Sequence, residues 1–439
     1  MFLKDALTFS ADGKTLVKCD ESYEGKVVVP SSMSELGLSP SSTLARILSV
    51  IIPNKVTTIG KEAFLNCDKI TSIVLPDSIT LIEENAFWGC TSLRSINIPN
   101  KVQKIDSFAF DSCSKLESID IPSSVEEIGM YAFSDCNEIK RINVDRDNRN
   151  YSSEDGVLYS KDKSVLYKVP PCFEKFTIPS SVSRIDYDAF NNCSKLTTMV
   201  IPANVVDIES GSVFDACTGI KGFVVDKSNP VYCDINGALC SKDGKDLIRV
   251  PEGFETFKTP DSILTIKDSA FWGCEKLTEI EIPKNVMKIE TDAFVETYGN
   301  KRYVVAEGNS CFCEKNGAIC SKDGKTLLHV PIGLETFTVP DGIVYINAEN
   351  NDYESIAFES NEKITSVTIP SSVIQIGEYT FMDCENLVEL HMKHQTPLEA
   401  FDEKSDIDMA KVTLYVPRGS EEAYRAHPFY SQFARIVSE

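Results

Sequence analysis

The sequence predicts a solenoid of short, β-rich coils, and three observations predict it. Residues 52–143 hold one 23-residue unit four times over: IPNKVTTIGKEAFLNCDKITSIV, LPDSITLIEENAFWGCTSLRSIN, IPNKVQKIDSFAFDSCSKLESID and IPSSVEEIGMYAFSDCNEIKRIN. Pro53, Pro76, Pro99 and Pro122 mark the period, and an Ala-Phe pair and a Cys recur in phase with them. Three 34-residue segments then interrupt the unit with a shared text of their own, GVLYSKDKSVLYKVP, GALCSKDGKDLIRVP and GAICSKDGKTLLHVP. A unit this short closes no core alone and buries its apolar side against its neighbours. The period therefore overrides the two or three globular domains that 439 residues would otherwise suggest.

Taken in order, the chain reads as a single elongated repeat domain in four parts. Residues 1–29 form an N-terminal cap, in which LTFSADGKTLVKC alternates apolar and polar residues around Asp12-Gly13 as a β-hairpin does. Residues 30–144 are the first repeat block, with a worn first coil from Pro30, 23 residues before Pro53. In each unit the L-x-x-I-x-I-P piece, such as Leu93 to Pro99, is a short strand with Ile96 and Ile98 pointing inward. The Pro ends it, where a missing N–H does least harm. A second extended piece, V-x-x-I, precedes the Ala-Phe turn. Residues 145–391 carry further coils with hairpin inserts at 145–178, 226–259 and 306–339, whose Lys-Asp-Lys or Lys-Asp-Gly tips turn between apolar-alternating arms. The unit from Val339 to Thr368 is swollen by NAENNDYES, read as a polar surface bulge. Residues 392–439 are a C-terminal cap, in which a TLYVP strand precedes Tyr424, Phe429, Phe433 and Ile436 at helix-like spacing.

Two rows of side chains fill the predicted interior. Phe64, Phe87, Phe110, Phe133, Phe190, Phe214, Phe271, Phe294 and Phe381 form an aromatic spine. Eight of the 15 cysteines, Cys67, Cys90, Cys113, Cys136, Cys193, Cys217, Cys274 and Cys384, share one place in the unit. With coils about 4.8 Å apart they form a column of small buried hydrophobes. No His or carboxylate recurs beside them, which argues against a metal row. A different pattern holds in the inserts. Cys233 and Cys240 flank Gly237 in the second, Cys313 and Cys320 flank Gly317 in the third, and the first has Ser152 and Tyr159 instead. Paired presence and paired absence suggest two cross-strand disulfides, with independent apolar packing as the alternative. If bonded, they place the protein outside the reducing cytosol.

The balance of charge limits the partners. A formal net charge of −22 disfavours unaided binding to nucleic acid or anionic membrane, both of which attract clustered Lys and Arg. No apolar run is long enough to span a bilayer as a helix. The sequence opens on MFLKDALTFS without the pattern of an export signal, which leaves a cytosolic protein or a mature segment as the two readings. Of the four His, only His391 and His394 are close, and on a strand they face opposite sides. No nucleophile elbow, phosphate loop or His-Glu-x-x-His is present, and a stack of equivalent units supplies no convergent acid, base or nucleophile. The sequence calls for no enzyme, metal or cofactor. The acidic insert starts at Asp145 and Asp226 lack the Gly and closing Glu of a calcium loop and read as turns.

What remains is surface. Outward residues beside each strand Ile form two columns, Ser72, Ser95, Ser118, Arg141, Thr198, Glu279 and Val74, Asn97, Asp120, Asn143, Val200, Glu281. Of these, Ser95, Asn97, Ser118, Asp120, Arg141 and Asn143 are the candidate binding face; a merely solvated sheet is the alternative. Trp88 and Trp272, in the turn text Ala-Phe-Trp-Gly-Cys, are candidate contact anchors or else lie flat over the next coil.

The unit IPxxVxxIxxxAFxxCxxLxxIx resembles the treponemal-type, or BspA-like, leucine-rich repeat over residues 30–391, and the closing LYVPRGSEEAYRAHPFYSQFARIVSE is similar to a tail common in that family. The resemblance implies a leucine-rich-repeat solenoid wound as a right-handed superhelix. It also implies a non-enzymatic cell-surface or secreted protein that binds host or other extracellular proteins. An intracellular scaffold, hence a cytoplasmic location, is the alternative, and a monomer is the favoured state.

Overall fold

A strand that ends at Pro76, Pro99 or Pro122 finds its hydrogen-bond partner in the neighbouring coil rather than in its own. The computed structural model describes residues 52, 54, 56–346, 357–358, 360–399 and 407–439, together with the strand backbones of Leu7–Phe9, Thr15–Cys19, Gly25–Val28, Glu35–Leu36 and Ile47–Ile51. The chain divides into two units, Met1–Gly219 and Ile220–Glu439, and each is a β-solenoid.

In the first unit the V-x-x-I pieces Thr58–Ile59, Leu81–Ile82, Lys104–Ile105 and Glu127–Ile128 pair parallel and in register. The L-x-x-I pieces do the same, Ser72–Val74 with Ser95–Ile96 and Ser118–Ile121 with Arg141–Val144. Upstream, Leu7–Phe9 runs antiparallel to Thr15–Cys19, which joins Glu35–Leu36 and then Thr58–Ile59 in parallel. The Asp12-Gly13 tip, Pro30 and the swollen stretch 347–355 lie outside the described residues.

Between the two strand rows the interior is closed by side chains in file. Phe64, Phe87 and Phe110 stack with ring centroids 5.2 Å apart, and Phe133 follows at 5.9 Å. The backbone enforces this, because Phe64, Phe87 and Phe110 each donate their N–H to the carbonyl of Ala86, Ala109 and Ala132 at 2.8–2.9 Å. The Phe carbonyls are used as well. Cys90, Cys113 and Cys136 donate their S–H to the carbonyls of Phe64, Phe87 and Phe110 at 3.2–3.3 Å, so each thiol is both filler and donor. Burial raises the Cys113 and Cys136 thiols well above the ordinary range, which keeps that proton in place. The residue before each Cys turns left-handed. Gly89 there has φ +72°, and a Cβ on it would sit 2.2 Å from Asn66 Oδ1.

The first insert is more than the expected hairpin. Its shared text forms Val157–Ser160 and Val165–Lys168, but Tyr151–Glu154 pairs with Val157–Ser160 across an Asp155-Gly156 turn, making a three-stranded meander. Val165–Lys168 then continues in parallel through Arg184–Ile185 to Asp207–Ile208. Asn148 locks the insert to the coil before it. Its carboxamide donates to the carbonyls of Pro122 and Val125, both at 2.9 Å, and accepts the N–H groups of Asn150 and Tyr151 at 2.9 and 2.8 Å.

The second unit repeats this plan twice. Tyr232–Ile235, Ala238–Ser241 and Asp246–Arg249 form one meander, and Phe312–Lys315, Ala318–Ser321 and Thr326–His329 the other. Asn309 plugs the latter as Asn148 does, donating to Pro283 and Val286 and accepting from Cys311 and Phe312. Phe271 and Phe294 stand 5.6 Å apart, and Phe358 pairs with Phe381 at 5.2 Å. The C-terminal part corrects the helix-like reading. Only Glu421–Ala426 is α-helical, Tyr430–Gln432 is a single 3-10 turn, and Ile436 lies on a strand, Arg435–Ser438, that pairs parallel with Thr413–Val416. Tyr424, Phe429, Tyr430 and Phe433 are buried against the last coils by this path.

One place in each insert holds a buried base. Lys168 reaches Asp188 Oδ2 at 2.9 Å, and Arg249 donates to the Ser269 carbonyl at 2.8 Å and to Glu252 Oε1 at 2.6 Å. Burial lifts Asp188 to about 6 against the pull of the Lys168 ammonium. His329 takes the third place and packs edge-on against Phe294 at 5.3 Å, and burial alone lowers it from 6.5 to about 4.

The Asn148 plug sets one expectation: Asn148→Ala destabilises the chain by about 3 kcal/mol in urea titration, since it orphans two buried carbonyls and two N–H groups. Asn150→Ala, at an exposed site, changes it far less. His329 sets another. The unfolded chain takes up a proton near pH 6.5 that the folded chain refuses until about pH 4, so stability falls as pH drops across that window. His329→Leu removes about 3 kcal/mol of that loss, read as a flatter dependence of the urea midpoint on pH.

Candidate protein-binding face

Alternation along the L-x-x-I strands sends every second side chain outward, so the face is set by the same register that builds the core. In the first unit it runs over four consecutive coils. Ser72, Ser95 and Arg141 are exposed and Ser118 is half-buried; Asn97 and Asp120 are exposed, Asn143 is half-buried, and Val74 is 67% exposed. Ser95, Asn97, Ser118, Asp120, Arg141 and Asn143 are thus on one surface. They are not equivalent, however. The Asn97 carboxamide accepts the Leu75 N–H at 3.1 Å and donates to the Leu75 carbonyl at 3.0 Å, bridging two coils where backbone pairing has ended. Asn143 Nδ2 donates to Asp120 Oδ1 at 2.6 Å.

A third column stands beside these and escaped the sequence reading. Glu117 lies between Arg94 at 3.6 Å and Lys140 at 2.9 Å, and the Lys140 ammonium holds its carboxyl below the ordinary range. Two of the three bases at this end therefore share one carboxylate. Arg141 is exposed and forms no ion pair among the described residues.

The face is also shorter than the columns drawn on the sequence. Beside Arg141–Val144 the next element is the first meander, since Ile142 donates to the Gly156 carbonyl at 2.8 Å and Val144 to Ser153 Oγ at 2.9 Å. Gly156 has φ +83°, and a Cβ there would fall 2.8 Å from Arg141 Cβ, so the turn lies directly against the strand. Val200, on Met199–Ile201, and Thr198 just before that strand do not continue the row of Arg141 and Asn143 in one sheet. In the second unit Glu279 is taken by Arg302, whose Nε lies 2.5 Å from Glu279 Oε2.

The remaining candidate positions lie elsewhere. Trp88 folds toward the next coil, with Nε1 donating to Asp111 Oδ2 at 3.0 Å, and burial raises that carboxyl. Trp272 bonds in the same sense to Glu296. Cys233 stands directly opposite Cys240, and Cys313 opposite Cys320, all four as thiols in this structure. His391 stacks on Tyr415 at 4.4 Å and meets Glu439 at 2.8 Å through Nδ1, whereas His394 is buried with Nε2 2.7 Å from the Val373 carbonyl. Asp145 accepts the Asp147 N–H and Asp226 the Ser228 N–H, both at 2.8 Å, as turn residues do. Among the described residues no helix is long and apolar enough to cross a membrane.

Short parallel strands stacked at a fixed period, closed by rows of Phe and Cys, define a leucine-rich-repeat solenoid. The chain belongs to the BspA type leucine rich repeat family, whose sequence profile matches residues 42–154, 162–232, 252–315 and 332–412 in 6 copies. Similar solved structures include a leucine rich cell surface protein from Faecalibacterium prausnitzii, at 26% identity over 88% of this chain and 92% of that one, TM-score 0.41. The pneumococcal vaccine antigen PcpA is 18% identical over 100% and 98%, TM-score 0.39. A leucine-rich repeat protein from Bacteroides ovatus is 18% identical over 94% and 99%, TM-score 0.39. No curated protein sequence matches the chain.

The two kinds of outward residue separate on substitution. Asn97→Ala lowers stability by about 1–2 kcal/mol in chemical denaturation, because it leaves a Leu75 N–H and carbonyl without partners. Arg141→Ala stays within about 0.5 kcal/mol of the parent.

Proposed function

We propose that this chain is a non-enzymatic surface or secreted protein that binds an extended segment of another protein along the strand face of its first unit. One observation carries the reading. The face spans four coils from an exposed apolar residue, Val74, to an exposed Arg141 whose charge no carboxylate takes up among the described residues. An unspent guanidinium beside a row of small polar side chains is the composition of a contact surface, since Arg anchors interfaces well and Ser and Asn adapt their hydrogen bonds to a partner backbone. A shallow row of equivalent positions suits an extended polypeptide better than a small molecule, which needs a concave and largely enclosed pocket. The chain's net charge of −22 favours a neutral or basic partner. Membership in the BspA type family supports the surface location. A second reading, an intracellular scaffold, is favoured by the row of Cys90, Cys113 and Cys136, whose donated S–H bonds require reduced sulfur.

Capture of partners by the intact chain from extracellular host proteins, and separately from the cytosol of the source cell, tests both readings. Retention from the first pool that Arg141→Ala and Asn143→Ala weaken about tenfold, roughly the loss of one interface anchor, is the expected result. Retention unchanged by both variants removes the face from the proposal, and specific capture from the cytosol alone favours the scaffold.

A further inference from the structure

Among the described residues, the four insert cysteines occupy the one pair of equivalent places where two thiols face each other across adjacent strands. In both meanders an Asn-Gly turn joins the first two strands, with Asn236 and Gly237 at φ 54° and 81° and Asn316 and Gly317 at 53° and 77°. That left-handed pair fixes a two-residue hairpin, and the register leaves no slack: Cys233 is the Cα partner of Cys240, and Cys313 of Cys320. Directly opposed residues project to the same side of the sheet. Their Cα atoms are about 4.5–5.5 Å apart, inside the range that a disulfide spans. Cys240 and Cys320 are fully buried, whereas Cys233 and Cys313 are partly exposed, so one residue of each pair is within reach of a disulfide for its thiolate to attack.

The first meander shows what the place requires without a bond. Ser152 stands opposite Tyr159, and its hydroxyl donates to the Ser160 carbonyl at 2.8 Å. Cys233 and Cys313 donate to the carbonyls of Ser241 and Ser321 in the same way, both at 3.1 Å. A serine thus suffices for that hydrogen bond, which leaves the bond unable to account for cysteine. Nor does it explain why the residue opposite changes as well: Tyr159 where Ser152 stands, cysteine where cysteine stands. Lys242 beside Cys233, and Lys315 and Lys322 beside Cys313, oppose the burial that raises these two thiols.

We propose that Cys233–Cys240 and Cys313–Cys320 are disulfide-forming pairs that lock the second and third meanders under oxidising conditions, while the first meander stays without a covalent link. The oxidant is an exchangeable disulfide, either a small-molecule one or that of a thiol oxidoreductase. The Cys233 thiolate attacks it and releases one thiol; the Cys240 thiolate then attacks the mixed disulfide at the Cys233 sulfur and releases the second. Two thiols are oxidised and one disulfide is reduced. The pairs lie in the hairpins and not on the strand face, so this inference and the binding role stand or fall separately.

The test uses the folded full chain equilibrated with oxidised glutathione, then denatured and alkylated. The expected result is that Cys233, Cys240, Cys313 and Cys320 escape alkylation without gaining glutathione, with tryptic peptide 228–242 two hydrogens lighter than its reduced form, whereas an exposed thiol such as Cys172 carries a glutathione adduct. Cys233→Ser keeps the donor to Ser241, as Ser152 shows in the first meander; it and Cys313→Ser should each restore one reactive thiol, and together they should abolish the protection. Alkylation of all four insert cysteines in the parent chain, or protection of Cys240 and Cys320 that persists in the double variant, overturns the proposal.

Discussion

Everything in this fold depends on the hydrogen bond from the Phe N–H of one coil to the carbonyl just before the Phe of the next, that of an Ala for Phe64, Phe87, Phe110 and Phe271 and that of Val213 for Phe190. Phe64, Phe87 and Phe110, each 23 residues apart, satisfy it at 2.8–2.9 Å. Once that bond is made, the rings stack, the thiol one turn further on reaches the Phe carbonyl, and the strands fall into parallel register. One extra residue is absorbed in the turn: Phe214 follows Phe190 by 24 residues, and the rings still stack at 5.8 Å while Cys217 still donates to the Phe190 carbonyl at 3.0 Å. The 34-residue departures come instead as whole three-stranded pieces with their own internal pairing.

The inserts solve a problem of continuity. A parallel row cannot accept an antiparallel meander without losing partners, and the losses are covered by side chains. Ile128, at the end of the first row, donates to the Tyr151 hydroxyl at 2.8 Å where the next coil's backbone would be, and Asn148 ties down the loop that carries Tyr151. On the far side Val165–Lys168 restarts the row by pairing parallel with Arg184–Ile185. Each restart buries a base, Lys168, Arg249 or His329, and the first two carry a carboxylate with them. A buried base without an acid is tolerated only as the neutral imidazole of His329.

Periodicity was the most legible part of the sequence, because a period is a statement about contacts between coils and survives any choice of surface residue. The Phe and Cys rows are where the unit places them. Phe358 belongs to the same row and was overlooked, since the swollen unit displaced it, although its Ala-Phe pair was in plain text. The C-terminal reading failed for a definite reason. Tyr424, Phe429, Phe433 and Ile436 recur at spacings a helix would use, but the chain buries them through a short helix, a 3-10 turn and a strand. Spacing records which residues are covered, not the path between them. The candidate face was legible as a set of outward positions, while its end was not. That end is set by Gly156 packing on Arg141, a contact between a turn and a strand that no periodicity encodes. The Arg94–Glu117–Lys140 ladder was likewise hidden, because charge pairs 23 residues apart look random until the coils are stacked.

The plug at Asn148 has a mechanical side. Pulled from one end, a stack held only by bonds between successive coils peels like tape, each turn giving way at nearly the same tension. A buried carboxamide that grips Pro122 and Val125 behind it and Asn150 and Tyr151 ahead of it acts as a knot in that tape. Unravelling of the first block should therefore pause at the meander, so that tension is dissipated in discrete slips instead of one continuous run.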